Sequence, residues 1–381
     1  MIYLDNAATS FPKPREVVEA VVRQMEQVGG TAGRSSHQGG LASSRILYET
    51  RREICRLINC PDPLRIVFTP NATEALNLVI HGILKRGDHA VTTSMEHNSV
   101  LRPLTSLQQD DRSHTIVWGD TAGQIDVAQI EGAILPNTRL LIMNHCSNVT
   151  GTLLPIEAGA AVARKHGLLF LLDASQSSGS LPIDLEALKI DFLAAPGHKA
   201  LLGPQGTGFL YIRKGLELKT LKQGGTGSRS EDLEEPLTSP DRYESGTQNI
   251  HGIAGLRAGL QFILNHGVEA IHNHEMKCTS QLIEGLSVIP NIILYGPDQS
   301  SKRGSVVSFR VKEVDVSQFN YTLDTLYGIS ARSGLHCAPL AHKTIGSFPE
   351  GTIRLSPGFF TTASEIDETL KAVNELVKQL T

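Results

Sequence analysis

No stretch of this 381-residue chain stays apolar long enough to cross a membrane; its uninterrupted hydrophobic runs are short, against the roughly 20 residues a spanning helix needs. The opening Met1-Ile-Tyr-Leu-Asp5 has no basic region followed by an apolar core, so export is not expected and a cytoplasmic setting is. Cysteine is scarce: five residues, at 55, 60, 146, 278 and 337, form neither a CxxC pair nor a disulfide framework, which fits reduced thiols. Charged residues make up 19% and the net charge is −4, which leaves no basic stripe for a nucleic acid or a lipid surface. There is no repeat period and no low-complexity tract, and no metal is expected.

The length suffices for two domains with sizeable cores. The stretch that organises the chain begins with Gly167-Leu-Leu-Phe-Leu-Leu-Asp173, an apolar run that stops at a carboxylate. It ends with Asp191-Phe-Leu-Ala-Ala-Pro-Gly197-His198-Lys199, a second run that stops at an amine. Continuous apolar runs flanked by helical patterns predict buried strands of a parallel sheet. Ligands of open α/β sheets sit outside the carboxyl ends of such strands, so Asp173 and Lys199 are expected at one crevice. A desolvated lysine can bond a carbonyl cofactor, and a carboxylate can keep the ring nitrogen of pyridoxal 5'-phosphate (PLP) protonated. From these two residues alone, a buried Asp–Lys ion pair is an equal reading.

Other segments are suggestive in the same way. Pro12-Lys-Pro14 makes a stiff bend before a helical pattern over Arg15–Gln27. Thr31-Ala-Gly-Arg34-Ser-Ser-His37 is a polar loop before an amphipathic helix over Ala42–Ile58, and Arg34 and His37 are either substrate contacts or surface residues. Arg65-Ile-Val-Phe-Thr-Pro-Asn71-Ala72-Thr73-Glu74 reads as strand, turn and helix start, where free N–H groups and the Thr73 hydroxyl can bind an anion and Asn71 or Thr73 can cap. His97 follows another strand, placed to stack on a pyridine ring and shuttle a proton. Gly203-Pro-Gln-Gly206-Thr-Gly208 has no strand immediately before it and no helix after it, which excludes a dinucleotide-binding turn. Gln223–Pro240 reads as a long functional loop ahead of the helical pattern Ile250–Leu264. Helix and strand then alternate, with strands over Ile292–Tyr295, Ser305–Val311 and Gly351–Pro357 and a closing helix over Ala363–Leu380.

The second chemical cluster is Arg332, His336, Cys337 and Arg354. A nucleophilic thiol needs its thiolate favoured by nearby positive charge, which Arg332 and His336 can supply. Arg354 offers a planar fork for a carboxylate. Cys146 reads as a packed bystander.

Taken together, these segments resemble the cysteine desulfurases of the class V aminotransferase-like PLP enzymes, over essentially the whole chain and in the same order. The segments are Tyr3-Leu-Asp-Asn-Ala-Ala-Thr9, Thr73-Glu-Ala-Leu-Asn77, Glu96-His-Asn-Ser99, Ser147-Asn-Val-Thr-Gly151, Ala195-Pro-Gly-His-Lys199 and Tyr243-Glu-Ser-Gly-Thr247. Arg332-Ser-Gly-Leu-His-Cys-Ala338 is similar to the cysteine loop of the group II enzymes. The resemblance implies an α/β PLP-dependent transferase type I fold, with a large, mainly parallel sheet domain (14–260) and a smaller α+β domain (1–13 and 261–381). It implies PLP held by Ala72, Thr73, His97, Asn148, Asp173, Gln176, His198 and Lys199, with Thr247 reaching the cofactor of the partner in a homodimer. It assigns the substrate carboxylate to Arg354, with Arg332 and Asn148 as further substrate contacts, and catalysis to Lys199, Cys337 and His97. Pro196 stands where that family often has a phosphate-binding Ser or Thr, so Thr73 and His198 are left to anchor the phosphate.

The implied reaction converts L-cysteine to L-alanine and leaves the sulfur on Cys337 as a persulfide for an acceptor protein. A selenocysteine lyase would use the same residues, and a class V aminotransferase would need Lys199 but not Cys337. A binding module without activity would leave both residues without purpose.

Overall fold

The computed structural model describes residues 1–33, 37–228, 231–299 and 302–381. Arg34 lies outside the described residues. The strands in chain order are β1 (Ile2–Tyr3), β2 (Ile66–Thr69), β3 (His89–Thr93), β4 (Ser113–Val117), β5 (Thr138–Asn144), β6 (Leu169–Asp173) and β7 (Phe192–Pro196). They continue with β8 (Gly208–Ile212), β9 (Ile292–Tyr295), β10 (Val307–Val311), β11 (Ile329–Ser330), β12 (Arg332–Gly334) and β13 (Thr352–Leu355). The large sheet has seven strands in the order β2-β8-β7-β6-β5-β3-β4. Its neighbours are parallel from β4 through β7, and β8 runs antiparallel to both β7 and β2.

Every residue of β6 and β7 is buried, because helices cover both faces of the sheet. One face packs Phe170, Leu172, Leu193 and Ala195 against Ile253, Leu256 and Leu260 of the helix Ile250–His266. The other packs Leu171, Phe192 and Ala194 against Leu76, Val79 and Ile80 of the helix Ala72–Ile83. A separate core gathers Ile2 and Leu4 with residues between Cys278 and Val377, around the antiparallel sheet β12-β13-β10-β9 and the helix Ala363–Leu380. The N-terminal strand joins this second core through parallel pairing of β1 with β11.

Two sequence expectations shift and one is located more finely. β7 ends at Pro196, so Lys199 sits on a turn three residues beyond the strand instead of at its tip. The helix start expected within Asn71–Glu74 falls at Ala72, where the Asn71 side chain accepts the Glu74 N–H at 2.9 Å and caps it. Arg332–Gly334 is a strand and not open loop, since β13 supplies its hydrogen-bonding edge.

Candidate active site

Asp173 terminates β6 and pairs in register with Asn144 of β5 on one side and Ala194 of β7 on the other. Its Oδ1 accepts the Ser175 N–H at 2.9 Å, which fixes the carboxylate at the carboxyl edge of the sheet. Lys199 shares the cavity at this edge with Asp173, His97, Asn148, Gln176 and His198, beside Ala72, Thr73 and Pro196. Burial pushes the Lys199 amine down to about 8, helped by Arg354 and Arg332 and opposed by the Asp173 charge. A free amine is therefore accessible near neutral pH.

His97 caps the helix Asn98–Leu107, its Nδ1 accepting the Ser99 N–H at 3.1 Å. An Nδ1 used as acceptor puts the neutral ring's hydrogen on Nε2. Burial lowers its pKa, while Asp173 pulls it upward. The Ser99 hydroxyl lies 2.8 Å from His97 Nδ1 and 2.7 Å from Thr73 Oγ1, linking two helix starts. His198 is held neutral by burial, at about 4, and its Nδ1 is buried without a partner among the described residues. Gln176 donates to the Ala7 carbonyl at 3.0 Å.

The cysteine loop lies next to this cavity. Cys55, Cys60, Cys146 and Cys278 are buried and Cys337 is exposed. Cys146 has its pKa raised to about 12 by burial, in keeping with a packed bystander. Cys60, which precedes turn-like residues, is packed against Cys55. His336 and Cys337 both take left-handed backbone angles, φ 48° and φ 58°. That conformation costs a non-glycine residue about 1–2 kcal/mol, so something must hold it. The Asn98 N–H donates to the Cys337 carbonyl and the Asn148 amide to the His336 carbonyl, both at 2.8 Å. Asn148 also accepts, through its own carbonyl, a 3.0 Å bond from Arg354 Nη1.

Arg354 is buried, and its Nη2 pairs with Asp5 Oδ1 at 2.7 Å. Arg332 is its register partner across β12 and β13. Two terminal nitrogens with two hydrogens each leave one donor free on each after these bonds, and the Nε–H has no partner, among the described residues. The expectation that His336 charges the loop is corrected. The ring is buried, with Thr352 Oγ1 3.1 Å from its Nε2 and the His342 ring beside it, and its pKa falls well below the usual histidine range, with burial as the largest cause and the Arg354 and Arg332 charges adding. Positive charge at the loop comes from the two arginines. Thr247 is exposed and does not line the cavity of its own chain, and His37 instead caps the helix Gln38–Ile58.

The class-V aminotransferase family model matches residues 2–369. The chain belongs to that family. A probable cysteine desulfurase of Methanothermobacter thermautotrophicus is 35% identical over 98% of this chain and 94% of its own length. Another probable cysteine desulfurase, from Pyrococcus abyssi, is 35% identical over 100% of this chain and 95% of its own. Among solved structures, an apo cysteine desulfurase from Thermococcus onnurineus NA1 superposes with a TM-score of 0.93 at 34% identity, covering 99% of this chain and 95% of that one.

For this class-V member, several residues around the site lie in the resembling segments without a role assigned from the sequence. Ser99 reads only as part of a helix start, and Asp5 lies 349 residues from the Arg354 it pairs with. Glu96 is fully buried behind His97, where Thr93 Oγ1 and the Asn144 N–H donate to its Oε1 at 2.7 and 3.0 Å. Burial pushes its pKa up to about 8, against those two bonds, and the Asp173 charge adds to the rise. Its sequence signal is its place in the segment Glu96-His-Asn-Ser99, which carries the resemblance without assigning the glutamate a role.

Proposed function

We propose that the chain is a PLP-dependent cysteine desulfurase that passes the sulfur of L-cysteine to Cys337. The observation that carries this reading is the Cys337 thiol itself: exposed, on a left-handed backbone, and tied by Asn98 and Asn148 to the cavity of Lys199 and Asp173. An aminotransferase would have no use for that arrangement.

The donor set fits PLP. The first turn of the helix Ala72–Ile83, the Thr73 hydroxyl and the unpartnered His198 Nδ1 suit its phosphate, without the hydroxyl that Pro196 lacks. Asp173 suits its ring nitrogen, His97 its ring face and Lys199 its carbonyl carbon, with Asn148 and Gln176 on the cavity wall. When bound, PLP accepts the electron pair released at the substrate's α carbon. Asp173 holds the proton on the ring nitrogen, and Arg354, steadied by Asp5, presents its free N–H groups to the substrate carboxylate, with Arg332 alongside. Lys199 takes the α-proton and returns it. The Cys337 thiolate attacks the substrate sulfur, the carbon–sulfur bond breaks, and its electron pair stays with the β carbon, which is protonated to give alanine. His97, through Nε2–H, moves a proton at that sulfur. Cysteine and a thiol thus yield alanine and a persulfide, with atoms in balance.

The same reading extends to a homodimer in which Thr247 approaches the partner's cofactor, supported by its exposure and by the exposed Val18 and Val22 of the helix Arg15–Arg23, Met25 of the turn Gln24–Val28 after it, and Leu41 and Tyr48 of the helix Gln38–Ile58. It extends to division into a large domain of 14–260 and a small domain of 1–13 and 261–381, supported by the separate second core. A cytoplasmic setting and a sulfur-accepting protein partner complete it. No helix among the described residues is long and apolar enough to cross a membrane.

The test is Cys337→Ala. With L-cysteine, the wild type should form alanine and add one sulfur to Cys337, seen by peptide mass mapping. The variant should bind PLP on Lys199 and form no alanine. Retained transamination would favour the aminotransferase reading, and activity confined to L-selenocysteine the lyase.

A further inference from the structure

The turn that carries Lys199 is braced by a segment with no role in the chemistry above. Because β7 ends at Pro196, the carbonyls of His198 and Lys199 have left the sheet's ladder. The segment Thr9–Lys13 meets them there. The Ser10 N–H donates to the His198 carbonyl at 3.0 Å, and the Ser10 hydroxyl lies 2.8 Å from the Lys199 carbonyl and 3.1 Å from that of His198. Lys13 Nζ lies 2.8 Å from the His198 carbonyl and 2.7 Å from Ser10 Oγ.

The directions of these bonds follow from valence. An ammonium only donates, and a hydroxyl has a single hydrogen. Lys13 therefore donates to Ser10 Oγ, and the one Ser10 hydrogen goes to the nearer carbonyl, that of Lys199. The Thr9 hydroxyl also donates to the His198 carbonyl and the Leu202 N–H to that of Lys199, and the Lys13 ammonium adds to both, directly at His198 and through Ser10 at Lys199. That ammonium is costly to keep. Burial pushes its pKa down to about 8, and no carboxylate among the described residues offsets the shift. A lysine free to reach solvent would escape this penalty.

We propose that Lys13 is a positioning residue for Lys199, its ammonium fixing, through the His198 carbonyl and the Ser10 hydroxyl, the turn from which the Lys199 side chain departs. The inference rests on the reading of Lys199 as the residue that bonds PLP. It predicts a defect in bond-making at Lys199 and not in substrate capture, because the Asp5 carboxylate pairs with Arg354 and neither the Lys13 nor the Ser10 side chain bonds that pair.

Lys13→Met keeps the apolar stem and removes the donor. In the holoenzyme, kcat for alanine formation should fall roughly 10- to 100-fold, the scale of a misplaced catalytic group, with KM for L-cysteine nearly unchanged. The rate at which PLP-free enzyme acquires a borohydride-reducible PLP adduct on Lys199, followed by mass spectrometry, should fall in parallel. Lys13→Arg should restore part of both. Ser10→Ala, which breaks only the relay, should show a smaller loss of the same kind and serves if Lys13→Met does not fold. Wild-type rates in both variants, or a loss confined to KM, would overturn the proposal. Normal adduct formation in a wild type that makes no alanine would refute the desulfurase reading alone; a wild type that takes up no PLP would overturn both.

Discussion

Replacing Asp173 by Asn separates two effects of one carboxylate. The change keeps the shape at the end of β6, and an amide oxygen can still accept the Ser175 N–H now held at 2.9 Å. What disappears is the charge. A hydrogen bond to a charged group contributes about 1.5–3 kcal/mol, which converts to a fall in kcat of roughly 10- to 150-fold if that bond holds the ring proton while the α-proton leaves. The same charge raises the Lys199 pKa against burial and the arginines. Without it the pKa drops further below about 8, so Lys199 should remain deprotonated, and reactive toward PLP, at lower pH than in the wild type. Two measurements on one variant are therefore expected to move in opposite senses. Steady-state alanine formation and α-proton exchange with deuterated solvent should both slow, while the pH midpoint for PLP uptake by the apoenzyme should shift down. Proton exchange within threefold of the wild type, or an uptake midpoint that moves up, would refute the assignment of Asp173.

Two further perturbations test the frame around the site. Gly351 has φ 82°, and a Cβ there would meet the Gly334 carbonyl group of β12 at distances no real side chain shows, so Gly351→Ala should displace the cysteine loop. Loss of sulfur transfer is expected with PLP binding retained, read by persulfide mapping beside cofactor absorbance. Glu96 has its folded pKa raised from 4.5 to about 8, so the stability it contributes is complete below its unfolded value and is lost as pH rises through about 8. Glu96→Gln, which mimics the protonated form, should match the wild type in thermal unfolding at pH 5 and melt higher at pH 9; a lower melting point at pH 9 would contradict a neutral buried acid.

The parts of the site legible in the sequence are those set by local patterns. An apolar run that stops at Asp173 announces a strand end, and a strand end in a parallel sheet announces an edge where ligands sit. The exposure of Cys337 follows from its glycine- and proline-flanked segment, and the capped start at Ala72 from Asn71. What stayed hidden depends on distant chain. His336 looks like a source of charge beside a thiol, but its burial beside His342 and Thr352 removes the water a charged imidazole needs, and the Arg354 charge opposes a second one. Arg354 looks like a free fork, and its claim by Asp5 arises only because β1 pairs with β11 and carries the N-terminus alongside β13. Asn148 resembles a cofactor ligand in sequence, and its bond to the His336 carbonyl requires the cysteine loop to be folded against it.

The brevity of that loop governs where sulfur can go. Only Leu335–Ala338 separate the end of β12 from the helix Pro339–Thr344, and four residues drawn fully straight span at most about 14 Å. Both ends are anchored, and the middle is pinned at two carbonyls. The thiol thus has no arm on which to swing outward and carry its cargo to a distant recipient. Under the proposed function, an acceptor would have to bring its own sulfur-binding group down to the protein surface at Cys337, which favours a recipient with a protruding, mobile cysteine over one whose thiol is recessed.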